Sequence, residues 1–349
     1  GSIGLLLERN NCLSHAGKDA YCSGKKICVL MITMLLNQSL FFFLGLIGLW
    51  LGSELITTSA TVIAKRMGLS ETFIGLTILA VGTDFPEIVV AVTGAIEQLQ
   101  GVETSELVIG NIIGSNMGQI SFVLGLAGLL RVFRMKKQEV MKNGLMLIVS
   151  TFLLFIMVLD GFLSRIDGLM LVLLYAAYFL SLQRKTKLSM IRGKFKRLVS
   201  QGFLPFIKLI AGLVVIFAAS ELVVDNGVKL ASTLDISQMI VGVVLIGIGT
   251  SLPELVVSIS AVIKGSNGLS IGNLIGSNLI DITIALGGSA MIGGWKVGRS
   301  IATFDIAYLL FTSVVVVLFL LTKETLERKE SILMLSLYGV YLSLKLLGF

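Results

Sequence analysis

One phrase is written twice in this chain, Gly82-Thr83-Asp84-Phe85-Pro86-Glu87 and Gly249-Thr250-Ser251-Leu252-Pro253-Glu254, each time inside an apolar stretch long enough to cross a bilayer. A proline there deletes a backbone hydrogen bond and crowds the carbonyl four residues back. A carboxylate at that depth needs a counter-charge or water. Two such costly residues placed together, twice, point to a site for cations in broken helices.

The rest of the chain is consistent with that depth. Of 349 residues, 55% are hydrophobic and 14% charged, which excludes a water-soluble globule with an ordinary surface and predicts a polytopic membrane protein. Uninterrupted apolar segments give about ten spans, over residues 35–64, 70–96, 107–130, 144–159, 166–182, 204–231, 237–262, 269–292, 301–321 and 331–347. Lys and Arg concentrate in alternate loops, eighteen on one side, including Lys65, Arg131, Arg184 and Lys264. The other side, with the N-terminal tail left out, has five: Arg165, Lys229, Lys296, Arg299 and Lys345. The positive-inside rule then puts both termini outside the cytoplasm of a multi-pass cell-membrane protein. The net charge of +7 follows from topology and contact with the lipid bilayer, so no nucleic-acid partner is expected. No obligatory protein partner is evident either.

Residues 1–34 are read as a polar N-terminal tail. It begins Gly-Ser without Met, and a cloning remnant, a clipped precursor or a true start at Met31 or Met34 all fit. Cys12, Cys22, Cys28 and His15 lie in it at spacings that match no metal site. Trp50 and Trp295 are read as interfacial anchors.

The two phrases belong to a larger duplication. An offset of 167 aligns Gly45 through Gly82 with Gly212 through Gly249, and an offset of 162 then lays Gly110-Asn111-Ile112-Ile113-Gly114-Ser115-Asn116 on Gly272-Asn273-Leu274-Ile275-Gly276-Ser277-Asn278. The expected fold is therefore all-α, with two five-helix repeats over 35–183 and 204–349 joined by a basic cytoplasmic linker, 184–203. An odd number of spans inverts the second copy, so that broken helices meet at the repeat interface near the bilayer centre.

Thr83 and Glu87 sit four residues apart on one helical face, as do Thr250 and Glu254, Ser115 and Gln119, and Ser277 and Asp281. Hydroxyls, an amide, freed carbonyls and carboxylates, with no His or Cys in the spans, suit hard cations such as Ca2+ or Na+. Two facing glutamates would neutralise a divalent ion, and their repulsion after its departure calls for replacement cations or protons, which favours exchange over leak. The asparagines of the Gly-Asn motif are read as capping or packing groups. Glu54, Glu221 and Asp225 are candidates for an ion path or for polar bonds near the water interface.

With these motifs on the second, third, seventh and eighth spans, residues 35–349 resemble the cation/Ca2+ antiporter superfamily, most nearly the prokaryotic sodium/calcium exchangers. The resemblance implies a secondary antiporter working by alternating access, with transported ions and no cofactor, and it is not an enzyme. It implies Ca2+ ligation by Glu87 and Glu254, and Na+ sites from Thr83, Ser115, Thr250, Ser251 and Ser277 with the main-chain oxygens of Ala80 and Gly247. Sliding of the first and sixth helices, eased by Gly45, Gly48 and Gly52, would expose the site to each side. Two positions depart from the pattern: Asp84 stands where the family has Ser, and Gln119 where it has Asn. Asp84 crowds Glu87 and makes an H+/Ca2+ exchanger the alternative, although the Gly-Thr phrase favours Na+. An intramembrane aspartyl protease is the rival from another class. It needs a matched aspartate pair, whereas the duplicated acids here are glutamates.

Overall fold

The computed structural model describes residues 18–66, 80–130, 133–134, 137–183, 203–263, 267–323 and 325–347. Residues 70–79 of the second span, the linker over 184–202, Cys12 and His15 lie outside them.

The first copy runs through α1 (Lys18–Arg66), α2 (Ala80–Thr83), α3 (Phe85–Leu99), α4 (Ser105–Met117), a π-helical turn π1 (Gly118–Val123), α5 (Leu124–Leu130), α6 (Lys137–Met157) and α7 (Arg165–Gln183). The second runs through α8 (Leu204–Leu234), α9 (Gln238–Ile240), π2 (Val241–Ile246), α10 (Gly247–Thr250), α11 (Leu252–Ile263) and α12 (Asn267–Ile280). It continues through π3 (Asp281–Leu286), α13 (Gly287–Gly293), π4 (Ile301–Ile306), α14 (Ala307–Lys323) and α15 (Arg328–Leu346). Residues 18–34, read as a polar tail, form the N-terminal part of α1. Among the described residues six helices are long and apolar enough to cross a membrane, or seven if the pair broken between Thr250 and Leu252 is one span.

Among the described residues four two-residue strands sew the copies together. Phe133–Arg134 (β1) pairs with Thr325–Leu326 (β4), and Phe162–Leu163 (β2) pairs with Trp295–Lys296 (β3), both antiparallel. Phe133 and Trp295 are equivalent positions, 162 residues apart, so each ribbon joins a loop of one copy to a different loop of the other. Trp295 is therefore not an interfacial anchor. It is fully buried and donates its indole N–H to Ser289 Oγ at 3.1 Å. Trp50, 40% exposed, keeps a position compatible with the interface.

Among the described residues the apolar side chains form two buried groups. The larger lies among α3 to α7 and α11 to α15, around Ile112, Met117, Leu279, Leu309 and Tyr341. The smaller holds α1 to α8 through Phe42, Leu49, Ile56, Ile216 and Val223. At that crossing a Cβ on Gly52 would stand 2.5 Å from Ile216 Cγ1 and 3.0 Å from the Gly212 carbonyl, so the two helices touch backbone to backbone. On the outer face of α8, Leu204, Ile207, Ile210, Val214 and Phe217 recur every three or four residues and are all exposed, a stripe for lipid and not for water.

Candidate cation site

Both proline phrases break their helices at the same place and in the same way. Asp84, between α2 and α3, has φ −78° and ψ 0°; Ser251, between α10 and α11, has φ −81° and ψ 2°. Both lie in the sparsely populated bridge region, and the second break bends its helix pair by 42°. Pro86 sits in the first turn of α3, where its missing N–H costs nothing. Asp84 occupies the cap position but makes no side-chain capping bond, which leaves its carboxylate free to face inward.

The breaks are brought together by α4 and α12, which carry the Gly-Asn motifs. A Cβ on Gly114 would fall 2.5 Å from the Val243 carbonyl oxygen, and one on Gly247 would fall 2.9 Å from the Ser115 amide. Only glycine permits α4 to run this close to π2 and α10. The polar side chains of the site are all buried: Thr83, Asp84, Glu87, Ser115, Gln119, Glu254, Ser277 and Asp281 at 0%, Thr250 at 1% and Ser251 at 5%.

In one half of the cage the hydrogen bonds close. Ser115 donates to Glu87 Oε1 at 2.9 Å and lies 2.6 Å from Ser251 Oγ, while Gln119 donates to Ser115 at 3.2 Å. A hydroxyl has one proton, so Ser251 must be the donor to Ser115, whose two lone pairs are then filled. Thr250 donates to Asn111 Oδ1 at 3.2 Å. In the other half, Glu254 and Ser277 are the equivalents of Glu87 and Ser115, and Asp84 stands in place of Ser251 with Ser277 and Glu254 as its neighbours. There few hydrogen bonds form. Among the described residues Ser277 Oγ, both oxygens of Asp84, both of Glu254, Glu87 Oε2 and Asp281 Oδ1 have no partner. Six buried carboxylate oxygens without donors, mutually repelling, form a strongly cation-attracting interior.

Among the described residues no three acidic side chains close on a single point. The carboxylates are interleaved with hydroxyls and amides, a mixed oxygen set of the kind hard cations take. The Ala80 carbonyl accepts the Asp84 amide at 2.9 Å and the Thr83 hydroxyl at 3.2 Å, whereas the Gly247 carbonyl accepts the Ser251 amide at 3.3 Å.

The asparagines expected to cap or pack do more at two positions. Asn116 donates to Asp281 Oδ2 at 3.0 Å and Asn278 to Gln119 Oε1 at 2.8 Å, so each copy's Asn holds the other copy's π-turn residue. Glu54 is exposed, Asp225 pairs with Lys229 at 2.6 Å, and Glu221 and Asp225 line a separate cavity of about 730 Å3 between α3 and α8, with Glu97 opposite. Sequence reading missed one buried ion pair, Lys345 to Asp305 at 2.6 Å, which Tyr341 joins at 3.0 Å. Its signal was an aspartate at the position aligned with Asn143, where Tyr178 makes the neutral counterpart at 2.9 Å.

Comparison with known proteins adds a finding independent of this geometry. The family described as sodium/calcium exchanger protein matches residues 38–182 and 204–347. The chain is 32% identical over 292 residues to the inner membrane protein YrbG of Escherichia coli strain K12, covering 81% of this chain and 88% of that one. It is 28% identical over 349 residues to the sodium/calcium exchanger MaX1 of Methanosarcina acetivorans, covering 88% and 98%. The solved sodium-calcium exchanger NCX_Mj, soaked with 10 mM Na+ and zero Ca2+, superposes with a TM-score of 0.63 at 30% identity over 88% of this chain and 99% of that one.

Proposed function

We propose that this chain, which belongs to the sodium/calcium exchanger family, moves Ca2+ across the membrane against Na+ by alternating access. Members of the family are transporters, which sets the protease reading aside. The observation that carries the proposal is the set of six donor-less buried carboxylate oxygens at the junction of two equivalent helix breaks. Glu87 and Glu254 supply the charge that neutralises Ca2+, with Asp281 and Asp84 beside them. Thr83, Thr250, Ser115, Ser251 and Ser277, with the Ala80 and Gly247 carbonyls and Gln119, supply the neutral oxygens that hold Na+. When Ca2+ leaves, repulsion among the carboxylates is relieved only by cations entering the same interior, so the two fluxes are coupled.

The reading includes ten spans in two inverted repeats, 35–183 and 204–349, with 184–203 cytoplasmic and both termini outside. The exchange of partners between the two ribbons and between the Asn116 and Asn278 bonds supports a twofold relation of this kind. The test is radiolabelled Ca2+ uptake by the reconstituted protein under a Na+ gradient or a pH gradient, in wild type and Asp84→Ser. Uptake driven by Na+ in both proteins is expected. Uptake driven by the pH gradient alone, lost in Asp84→Ser, would overturn Na+ coupling.

A further inference from the structure

Most buried hydroxyls of this bundle are satisfied locally; among the described residues the exceptions away from the cage are Ser59, Thr312, Ser258 and Ser270, of which the last two flank it on α11 and α12. Ser121, Ser150, Thr151, Thr283 and Ser313 are fully buried, and each donates to a carbonyl three or four residues back in its own helix. Ser258 on α11 and Ser270 on α12 are equally buried, yet neither has a hydrogen-bond partner among the described residues. Both amide atoms of Asn273, also fully buried, are in the same condition.

These groups are aligned with the cage. Ser258 follows Glu254 by four residues on α11; Ser270, Asn273 and Ser277 follow one face of α12 at spacings of three and four. Moving from Glu254 and Ser277 toward the connection between the two helices, Ser258 lies about one turn out and Ser270 about two. That connection carries Lys264 and belongs to the side the basic loops assign to the cytoplasm. The first copy has no such line. The equivalents of Ser258 and Ser270 are Ala91 and Val108, fully buried apolar residues, and the equivalent of Asn273 is Asn111, whose Oδ1 accepts from Thr250 while its Nδ2 has no partner among the described residues.

We propose that Ser258, Ser270 and Asn273 form a stepping site for a monovalent cation, Na+, between the cage and the cytoplasmic end of the second copy. The inference rests on the Na+/Ca2+ reading and adds to it a route that only one of the two ions uses. Its oxygens are all neutral. Hydroxyls and an amide carbonyl replace part of the shell of a singly charged ion, whereas a dehydrated divalent ion away from carboxylates has nothing to balance its second charge. The asymmetry between copies makes the route one-sided.

The experiment uses inside-out membrane vesicles, whose outer face presents the cytoplasmic end, loaded with radiolabelled Ca2+. In Ser258→Ala/Ser270→Val, which restores the first copy's residues, the external Na+ needed for half-maximal Ca2+ release should rise roughly fivefold, the worth of a lost hydrogen-bond-sized interaction. Ca2+/Ca2+ self-exchange should stay at the wild-type rate, and Ser258→Thr/Ser270→Thr should retain wild-type Na+ dependence. An unchanged Na+ requirement, an equal loss of both exchange modes, or a shift seen only with right-side-out vesicles overturns the stepping site. Should the double variant fail to reach the membrane, Ser258→Ala and Ser270→Ala singly carry the same comparison. Absence of Na+-driven release in wild type would instead overturn the Na+/Ca2+ reading itself.

Discussion

Asn116 donates its side-chain amide to Asp281 at 3.0 Å, and at the equivalent positions Asn278 donates to Gln119 at 2.8 Å. The same geometry thus serves a carboxylate in one direction and a neutral amide in the other. Because a bond to a charged acceptor is about twice as strong, Asn116→Ala should weaken apparent Ca2+ affinity by about tenfold or more and Asn278→Ala by about fivefold. Calcium titration of uptake in the two variants measures the difference; equal effects would mean that the bonds to Asp281 and Gln119 do not differ in this way.

Ser115 and Ser277 are equivalent in sequence and unequal in bonding. Removing Ser115 leaves Glu87 and Ser251 without their shared partner, so Ser115→Ala should destabilise the ion-free protein by about 1–3 kcal/mol. Ser277 only faces Asp84 without a hydrogen bond of ordinary geometry, and Ser277→Ala should lower the ion-free melting temperature less than Ser115→Ala while weakening Na+ activation. Thermal unfolding in detergent without Ca2+ or Na+ separates the two.

The Asp305–Lys345 pair is buried at 0% and 6% exposure. Lys345→Met should cost about 3–5 kcal/mol because it strands the aspartate, and the combined Asp305→Leu/Lys345→Met should recover most of that loss. A double variant no more stable than the single one would show that the pair contributes more than charge balance.

Gly114→Ala sets a methyl against the Val243 backbone, which cannot rotate away. A loss of about 1–3 kcal/mol and a displaced Ser115 are expected, with transport falling more than stability. Wild-type uptake in this variant would mean that α4 can move away from π2 without harm to the site.

At the surface, Glu103 is held below the usual glutamate value of 4.5 by the Ser105 hydroxyl first, then by the Ser105 amide and Lys296, against the effect of partial burial. A depressed carboxyl stabilises the fold fully above its unfolded value and loses that contribution as pH falls through its folded value. Acidification below about pH 4.5 should therefore weaken the α3–α4 turn. Lys296→Ala should reduce that acid sensitivity by less than about 0.5 kcal/mol, since the 3.6 Å pair is largely exposed. Melting curves against pH measure it.

What sequence alone determined follows from costs that are local and severe. A proline and a carboxylate inside an apolar span point to a helix break and a candidate cation site, and their repetition at constant offsets names the equivalent pairs, from Glu87 and Glu254 to Gln119 and Asp281. The tertiary structure decided which equivalent groups are bonded and which are bare, because a hydrogen bond depends on the direction of a side chain as well as its chemical type. Ser115 is satisfied and Ser277 is not, Trp295 is interior and not interfacial, Lys345 is a buried partner and not a loop charge, and the asparagines reach across to the other copy. The internal repeat predicts two matching halves. The replacement of Ser251 by Asp84 at the equivalent break, and the packing around it, make those halves unequal.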